Sequence, residues 1–242
     1  MSRLSRRNKR KRLVGNVLAI ALLLFLIGAI IVVLNFNKLQ GQAANSLAND
    51  KIELQRRNHQ TKKPNYNLKK VKPISPQTLA HAWRCRRDYR AIGQIAVPSE
   101  NILLNIFRGT GNDELALGVG TLRSDQRMGQ NNYPLAGHNM DDGQTYFSPL
   151  YTAKVRGQLA KGTRIFLTDF KKVYFYRIDI AYFIGVYNLR LAFNRKKFAQ
   201  KPVISLFTCD WTGQGRLFVR GHLTGSQSLK SASRYVRSTF KI

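Results

Sequence analysis

The sequence predicts a mainly β protein. About eight short strands close, or nearly close, into a β-barrel with one or two short helices, behind an N-terminal transmembrane helix and a stalk. Three observations lead there. Short apolar segments cut by Gly, Pro, Asn and Asp recur between Ala91 and Leu223, the pattern of strands joined by tight turns. Only one or two pieces carry helical periodicity. Finally, Leu13–Leu34 is an apolar run broken only by Asn16. At roughly 1.5 Å per residue it reaches about 33 Å, enough to cross a bilayer core.

In chain order, residues 1–12 form a basic tail (Arg3, Arg6, Arg7, Lys9, Arg10, Lys11, Arg12) that favours the cytoplasmic side, so residues 13–34 are expected to cross with the N-terminus inside. A cleaved signal peptide is the rival reading, with QAANS at 42–46 as a place to cut, but its apolar region should span only about 7–15 residues. Residues 35–77 are polar and rich in Asn, Gln, Lys and Arg, and read as an extracellular stalk. Residues 78–242 are expected to be the folded domain. It opens with a helix after Ser75 and Pro76, on which Leu79 and Trp83 recur at helical spacing. The strand segments follow: AIGQIAVP, NILLNIF, LALGVGTL, NNYPLAGHNM, TRIFLTDF, KVYFYRIDIAYFIGVY, PVISLFTC and RLFVRGHL. FSPLYTAKV, between two of them, suits a short helix or turn. Some 165 residues bury a sizeable core without disulfides.

The formal charge of +29 invites a nucleic-acid reading, but an exported domain rarely meets nucleic acid and no such motif is present. An anionic membrane or cell-wall surface is the more economical partner. Cys85 and Cys209 allow a single disulfide, which an oxidising compartment would favour. Cys85 alone reads as a partly buried small residue on the leading helix.

Cys209 and Arg216 end and begin two apolar runs around Gly213 and Gly215, so a hairpin brings a thiol and a guanidinium together. A nucleophilic cysteine needs neighbours that favour its thiolate. Arg216 cannot be a base, but it can donate hydrogen bonds to a developing oxyanion. Of four histidines, His59 lies in the stalk, His81 on the leading helix and His222 after a strand. His138 stands where an apolar strand meets a polar loop, a position open to either a catalytic or a structural role. Cys209 is open in the same way between nucleophile and inert core residue. No two histidines or cysteines read as metal ligands, and Asp113–Glu114 and Asp141–Asp142 read as solvated loop acids, so no metal is expected.

Together these segments resemble the class A sortases, membrane-anchored cysteine transpeptidases of Gram-positive bacteria. The resemblance rests on the order and spacing of IGQIAVP at 92–98, RGT at 108–110, LGVGTL at 117–122, QRMGQNNYPLAGHNM at 126–140, YFSPLY at 146–151, LFTC at 206–209 and RLFVRG at 216–221. It implies a closed eight-stranded barrel and a triad of His138, Cys209 and Arg216. Cys209 would attack the Thr–Gly carbonyl of an LPXTG-like sorting signal, Arg216 would hold the oxyanion and substrate backbone, and His138 would protonate the leaving amine. An amine of the cell-wall precursor lipid II would then resolve the thioester, with His138 as base. Cys209 must then remain free, which argues against the disulfide. Ala136, Phe207 and Thr208 would line the substrate groove with Arg216, beside a loop at residues 189–198.

Ser205 replaces the threonine usual at the start of the signature before the nucleophile, keeping the hydroxyl. The loop before the histidine strand, acidic in calcium-binding relatives, here holds Arg123 and Arg127 with one acid, Asp125, so calcium-independent activity and no cofactor are expected. Two alternatives follow. One is a sortase-fold enzyme of another class, pilus-polymerising or mainly hydrolytic; the lack of a second apolar anchor after Leu223 and of a lid segment before the barrel speaks against a pilus class. The other is a non-catalytic basic wall-binding module.

Overall fold

The computed structural model describes residues 3–48, 62–67, 71–185, 188, 198, 200–210 and 213–240, with side chains described from residue 13. It divides into two units, Met1–Gln40 and Gly41–Ile242. In the first, helix α1 (Arg3–Leu34) contains Leu13–Leu34, which is exposed and long and apolar enough to span a bilayer. A second helix, α2 (Phe36–Ala48), begins at the end of this unit and runs into the next.

Eight strands make the second unit: β1 (Gly93–Val97), β2 (Ile102–Phe107), β3 (Val119–Thr121), β4 (Asn132–Ala136), β5 (Arg164–Thr168), β6 (Lys172–Gly185), β7 (Val203–Cys209) and β8 (Gly215–Ser228). They close into a barrel in the order β1-β2-β3-β4-β7-β8-β6-β5, with β1 pairing β5 to complete the ring. Closure leaves no unpaired sheet edge. The expected eight-stranded barrel is therefore the fold. Two pairs, β2–β3 and β4–β7, are parallel, and the rest are antiparallel. The parallel β4–β7 pair matters most here, because it sets the ends of two distant segments side by side.

The core follows from strand alternation. Tyr133 and Leu135 on β4, Ile204 and Leu206 on β7, and Leu217 and Val219 on β8 join one buried cluster with Ile95, Val97 and Ile106. Each such side chain contributes about 1.5–3 kcal/mol through burial. Phe207, Ala136, Phe218 and Ile184, from the alternate positions, form a separate small cluster with Leu115 and Leu122.

The leading helix, α3 (Pro76–Cys85), has Ser75 as its cap: the hydroxyl accepts from the Thr78 N–H at 3.1 Å, and Pro76 supplies the fixed φ of a first turn. Leu79 and Ala82 face inward. FSPLYTAKV gives helix α5 (Ser148–Val155). Three features depart from the sequence expectation. LALGVGTL is not one strand: its first residues complete helix α4 (Asn112–Leu117), because Asp113 and Glu114 in the first turn and Leu-Ala-Leu after them suit a helix. These acids are not solvated either. Glu114 is buried and accepts from the Asn65 N–H at 3.3 Å, and burial raises its carboxyl pKa. A short helix α6 (Arg234–Thr239), unforeseen in the sequence, packs Val236 with Phe240 onto Phe166 and Val173.

The third departure concerns the stretch read as stalk. Gly41–Ala48 lies on the barrel, with Ala44, Leu47 and Ala48 in the main cluster. The Ala48 carbonyl accepts from Asn105 Nδ2 at 3.1 Å and the Gly41 carbonyl from Thr145 Oγ1 at 3.2 Å. Small residues at 41, 44 and 48 let this helix approach closely. Further on, Asn65 O accepts from the Thr110 N–H at 2.6 Å. Residue 78 therefore does not mark the start of packed structure.

Candidate active site

Three strand ends converge. On β7 and β8 the register runs Ser205↔Arg220, Phe207↔Phe218 and Cys209↔Arg216, the last pair before the turn. On β4 and β7 it runs to Ala136↔Phe207, and Gly137 N donates to Phe207 O at 3.0 Å, which continues the pairing one step. Extended one residue past the strand, the same register would set His138 level with Cys209. Because alternate residues share a face, Cys209 and Arg216 stand at the end of the face that carries Ala136, Phe207 and Phe218, and His138 follows two residues past Ala136 at the same end of the barrel.

The turn fixes Arg216. Asp210 N donates to Gly215 O at 3.1 Å, Gly213 N donates to Asp210 O at 3.2 Å, and Gly213 has φ +73°, the left-handed region where glycine carries no steric cost. Arg216 Nη1 donates to the carbonyls of Gly213 at 2.9 Å and Gly215 at 2.7 Å. The guanidinium is thereby clamped at the strand end beside the thiol. Trp211 and Thr212 lie outside the described residues.

His138 is pinned through its neighbours. Its carbonyl accepts from the Phe147 N–H at 3.0 Å, and its ring meets Tyr146 edge-on with centroids 5.8 Å apart. The side chain is buried, and Nε2 has no hydrogen-bond partner among the described residues. Burial alone pulls its pKa down to about 4. Cys209 is half-buried and forms no disulfide. Burial pushes its thiol up, the Arg216 guanidinium works against that, and the Asp210 carboxylate adds to it. Near neutral pH the resting pair is therefore an uncharged thiol and an uncharged imidazole. The arrangement holds a latent nucleophile, a proton acceptor and a cationic hydrogen-bond donor on one surface, which suits acyl transfer.

The other residues singled out in the sequence fall as follows. Ala136 and Phe207 are register partners on the face of Cys209. Thr208 is not: alternation turns its side chain to the barrel interior with Leu206, where its hydroxyl is buried without a partner among the described residues. Of residues 189–198 only Phe198 is described; its ring lies 5.6 Å from the Arg220 guanidinium carbon. Arg220, the other arginine of the strand, is committed elsewhere. It forms a two-nitrogen pair with Asp179 at 2.8–3.2 Å, two rows below Cys209. That pairing was not visible in the sequence. Cys85 is partly buried on α3, and His81 and His222 are exposed. A cleft lined by Lys62, Lys63, Arg90 and Arg108 with Asp169 contains none of these site residues.

A family model described as "Sortase domain" matches residues 95–224. The chain is 41% identical over 121 residues to sortase A of Streptococcus agalactiae, covering 48% of this chain and 47% of that one. It is 40% identical over 119 residues to sortase A of Listeria monocytogenes, covering 49% of each. The chain thus spans about half the length of these curated relatives. Among solved structures, Listeria monocytogenes sortase A superposes with a TM-score of 0.55 at 32% identity, over 63% of this chain and 98% of that one.

Proposed function

The chain belongs to the sortase family, and from that premise we propose that it is a class A cysteine transpeptidase. It cleaves an LPXTG-like sorting signal between Thr and Gly and joins the surface protein to an amine of lipid II. The observation that carries this reading is the convergence of strand ends: Cys209 opposite Arg216 on β7 and β8, with His138 two residues past the end of β4, the strand that pairs with β7.

The Cys209 proton passes to His138, giving thiolate and imidazolium. The thiolate attacks the Thr carbonyl carbon, a C–S bond forms, and the oxygen carries negative charge. Arg216 faces that oxygen as donor and counter-charge. The intermediate collapses, the C–N bond breaks, and His138 returns its proton to the departing glycine amine. A thioester remains on Cys209. The lipid II amine then attacks the thioester, His138 takes the proton that this amine loses, and the thiolate leaves. Both groups rest uncharged, His138 buried and Cys209 half-buried, so the ion pair forms only in passing, and substrate closing over the face strengthens it. Ala136 and Phe207, with Phe218 beneath, supply an apolar floor for the signal's side chains. No step needs a metal, and the calcium independence expected from Arg123 and Arg127 belongs to this reading. Arg123 Nε sits 3.2 Å from Asp125, the one acid of that loop, and so already neutralises it.

The apolar helix Leu13–Leu34 supports a single-pass anchor, N-terminus in the cytoplasm, with the barrel at the outer face where sorting signals and lipid II meet. The test is direct. The protein is incubated with an LPETG peptide and a glycine nucleophile, and products are read by mass spectrometry. Transpeptidated product and a trapped thioester on Cys209 are expected, both lost in Cys209→Ala. Turnover that survives Cys209→Ala, or hydrolysis with no transfer, would overturn the assignment.

A further inference from the structure

Three side chains that the transpeptidase reading leaves unused meet between two helices. His81 and Cys85 lie four residues apart on α3 and so face the same way. Asp113 comes from α4. His81 Nδ1 is 2.8 Å from Asp113 Oδ1 and 3.7 Å from Cys85 Sγ, and the three ligand atoms all lie within 4.8 Å of one another.

We propose that His81, Cys85 and Asp113 form a binding site for a thiophilic divalent cation, zinc by its chemistry, that ties the leading helix to the barrel. Tetrahedral zinc with bonds of about 2.0 Å to N and O and about 2.3 Å to S has ligand edges of roughly 3.5 Å for N–S and 3.3 Å for N–O. The N–S edge is already within a few tenths of an ångström of that. The N–O edge must open by about half an ångström, which His81 can supply because its side chain is 57% exposed while Asp113 is 16% exposed. The carboxylate is oriented for the task. Tyr89 OH donates to Oδ2 at 2.9 Å and Lys62 Nζ lies 3.6 Å from the same oxygen, which leaves Oδ1 turned to His81. Such outer partners are what fix a ligating carboxylate. The open side at His81 gives an entry path and room for water as a fourth ligand. A thiolate–imidazole–carboxylate set selects zinc over calcium or magnesium. On binding, Cys85 gives up its thiol proton to solvent. The catalytic face shares no residue with this cluster, so the site is structural rather than part of the reaction.

The test uses the full chain in micelles with Cys209→Ala, which leaves Cys85 as the single thiol. After chelator treatment the protein is titrated with Co(II). One equivalent should produce a thiolate-to-cobalt charge-transfer band, and Zn(II) should displace it. His81→Gln and Asp113→Asn should each weaken Co(II) binding by about tenfold or more, and Cys85→Ser should remove the band. Zn(II) should also slow alkylation of Cys85, while Ca(II) should not. The parent titration needs no site variant, so misfolding of Cys85→Ser cannot mask the answer. Absence of the band in the parent, or a band of equal affinity in His81→Gln and Asp113→Asn, overturns the proposal.

Discussion

Replacing His138 by Asn should change how the protein responds to acid, by an amount the structure sets. The His138 ring is buried against Tyr146, and burial lowers its pKa from 6.5 to about 4. In the unfolded chain the same imidazole takes up a proton near its ordinary value. As pH falls from 6.5 towards 4, the unfolded state therefore binds a proton that the folded state refuses, and stability is lost across that window. Above 6.5 both forms are neutral and the penalty vanishes. A shift of about two and a half units at about 1.36 kcal/mol per unit gives roughly 3 kcal/mol between the two ends. Asn keeps a polar group of similar reach and does not titrate. Urea unfolding of the parent and His138→Asn at stepped pH, followed by tryptophan fluorescence, should show the variant losing about 3 kcal/mol less than the parent between neutral pH and pH near 4. The carboxylates common to both proteins cancel in this difference. Parallel stability curves, agreeing to within about 1 kcal/mol, would refute the reasoning, because His138 would then titrate near its ordinary value and could not be desolvated. An NMR titration of the His138 ring supplies the same pKa directly.

Further outcomes follow from the same geometry. The pH profile of thioester formation should be a broad bell, with the acid limb near 4 from His138 and the alkaline limb above the ordinary thiol range from Cys209; an acid limb near 6.5 would count against a buried imidazole. Arg216→Lys keeps the charge but not the planar fork, and should cut kcat for acylation by about 10²–10³ with little change in unfolding free energy. Arg220→Ala should show the opposite pattern, losing about 1–2 kcal/mol of stability as half-buried Asp179 is stranded, while acylation falls far less than in Arg216→Lys. Chelation by EDTA should leave peptide turnover unchanged, and restoration of a lost activity by calcium would show that the Arg123–Asp125 loop binds the ion after all.

What the sequence shows of this protein depends on the range of the interactions involved. Each strand announces itself locally, by a few apolar residues between Gly, Pro or Asn, and all eight were legible. The hairpin carrying Cys209 and Arg216 was equally local, because a turn of a few residues sets that register. The position of His138 depended on the parallel β4–β7 pairing, which joins segments about seventy residues apart; only the family resemblance brought it to Cys209. Polar pairs between distant strands left no periodic trace. The docking of α2 left a weak one: Gly41, Ala44, Leu47 and Ala48 recur at helical spacing, but mostly small residues among Asn and Gln make a thin apolar stripe that reads as stalk. Asp179 and Arg220 face each other across β6 and β8, forty-one residues apart, and composition treats both as surface charges. The cluster of His81, Cys85 and Asp113 stands between these cases. Its helical half, His81 and Cys85 at a spacing of four, reads as a surface histidine and a small helix residue, and Asp113, thirty-two residues beyond His81, reads as a loop acid until α4 is seen to form. A four-residue His–Cys spacing on a capped helix is therefore a sound reason to search the next helix for the third ligand. The Co(II) titration decides whether the geometry that completes the set has a metal to hold.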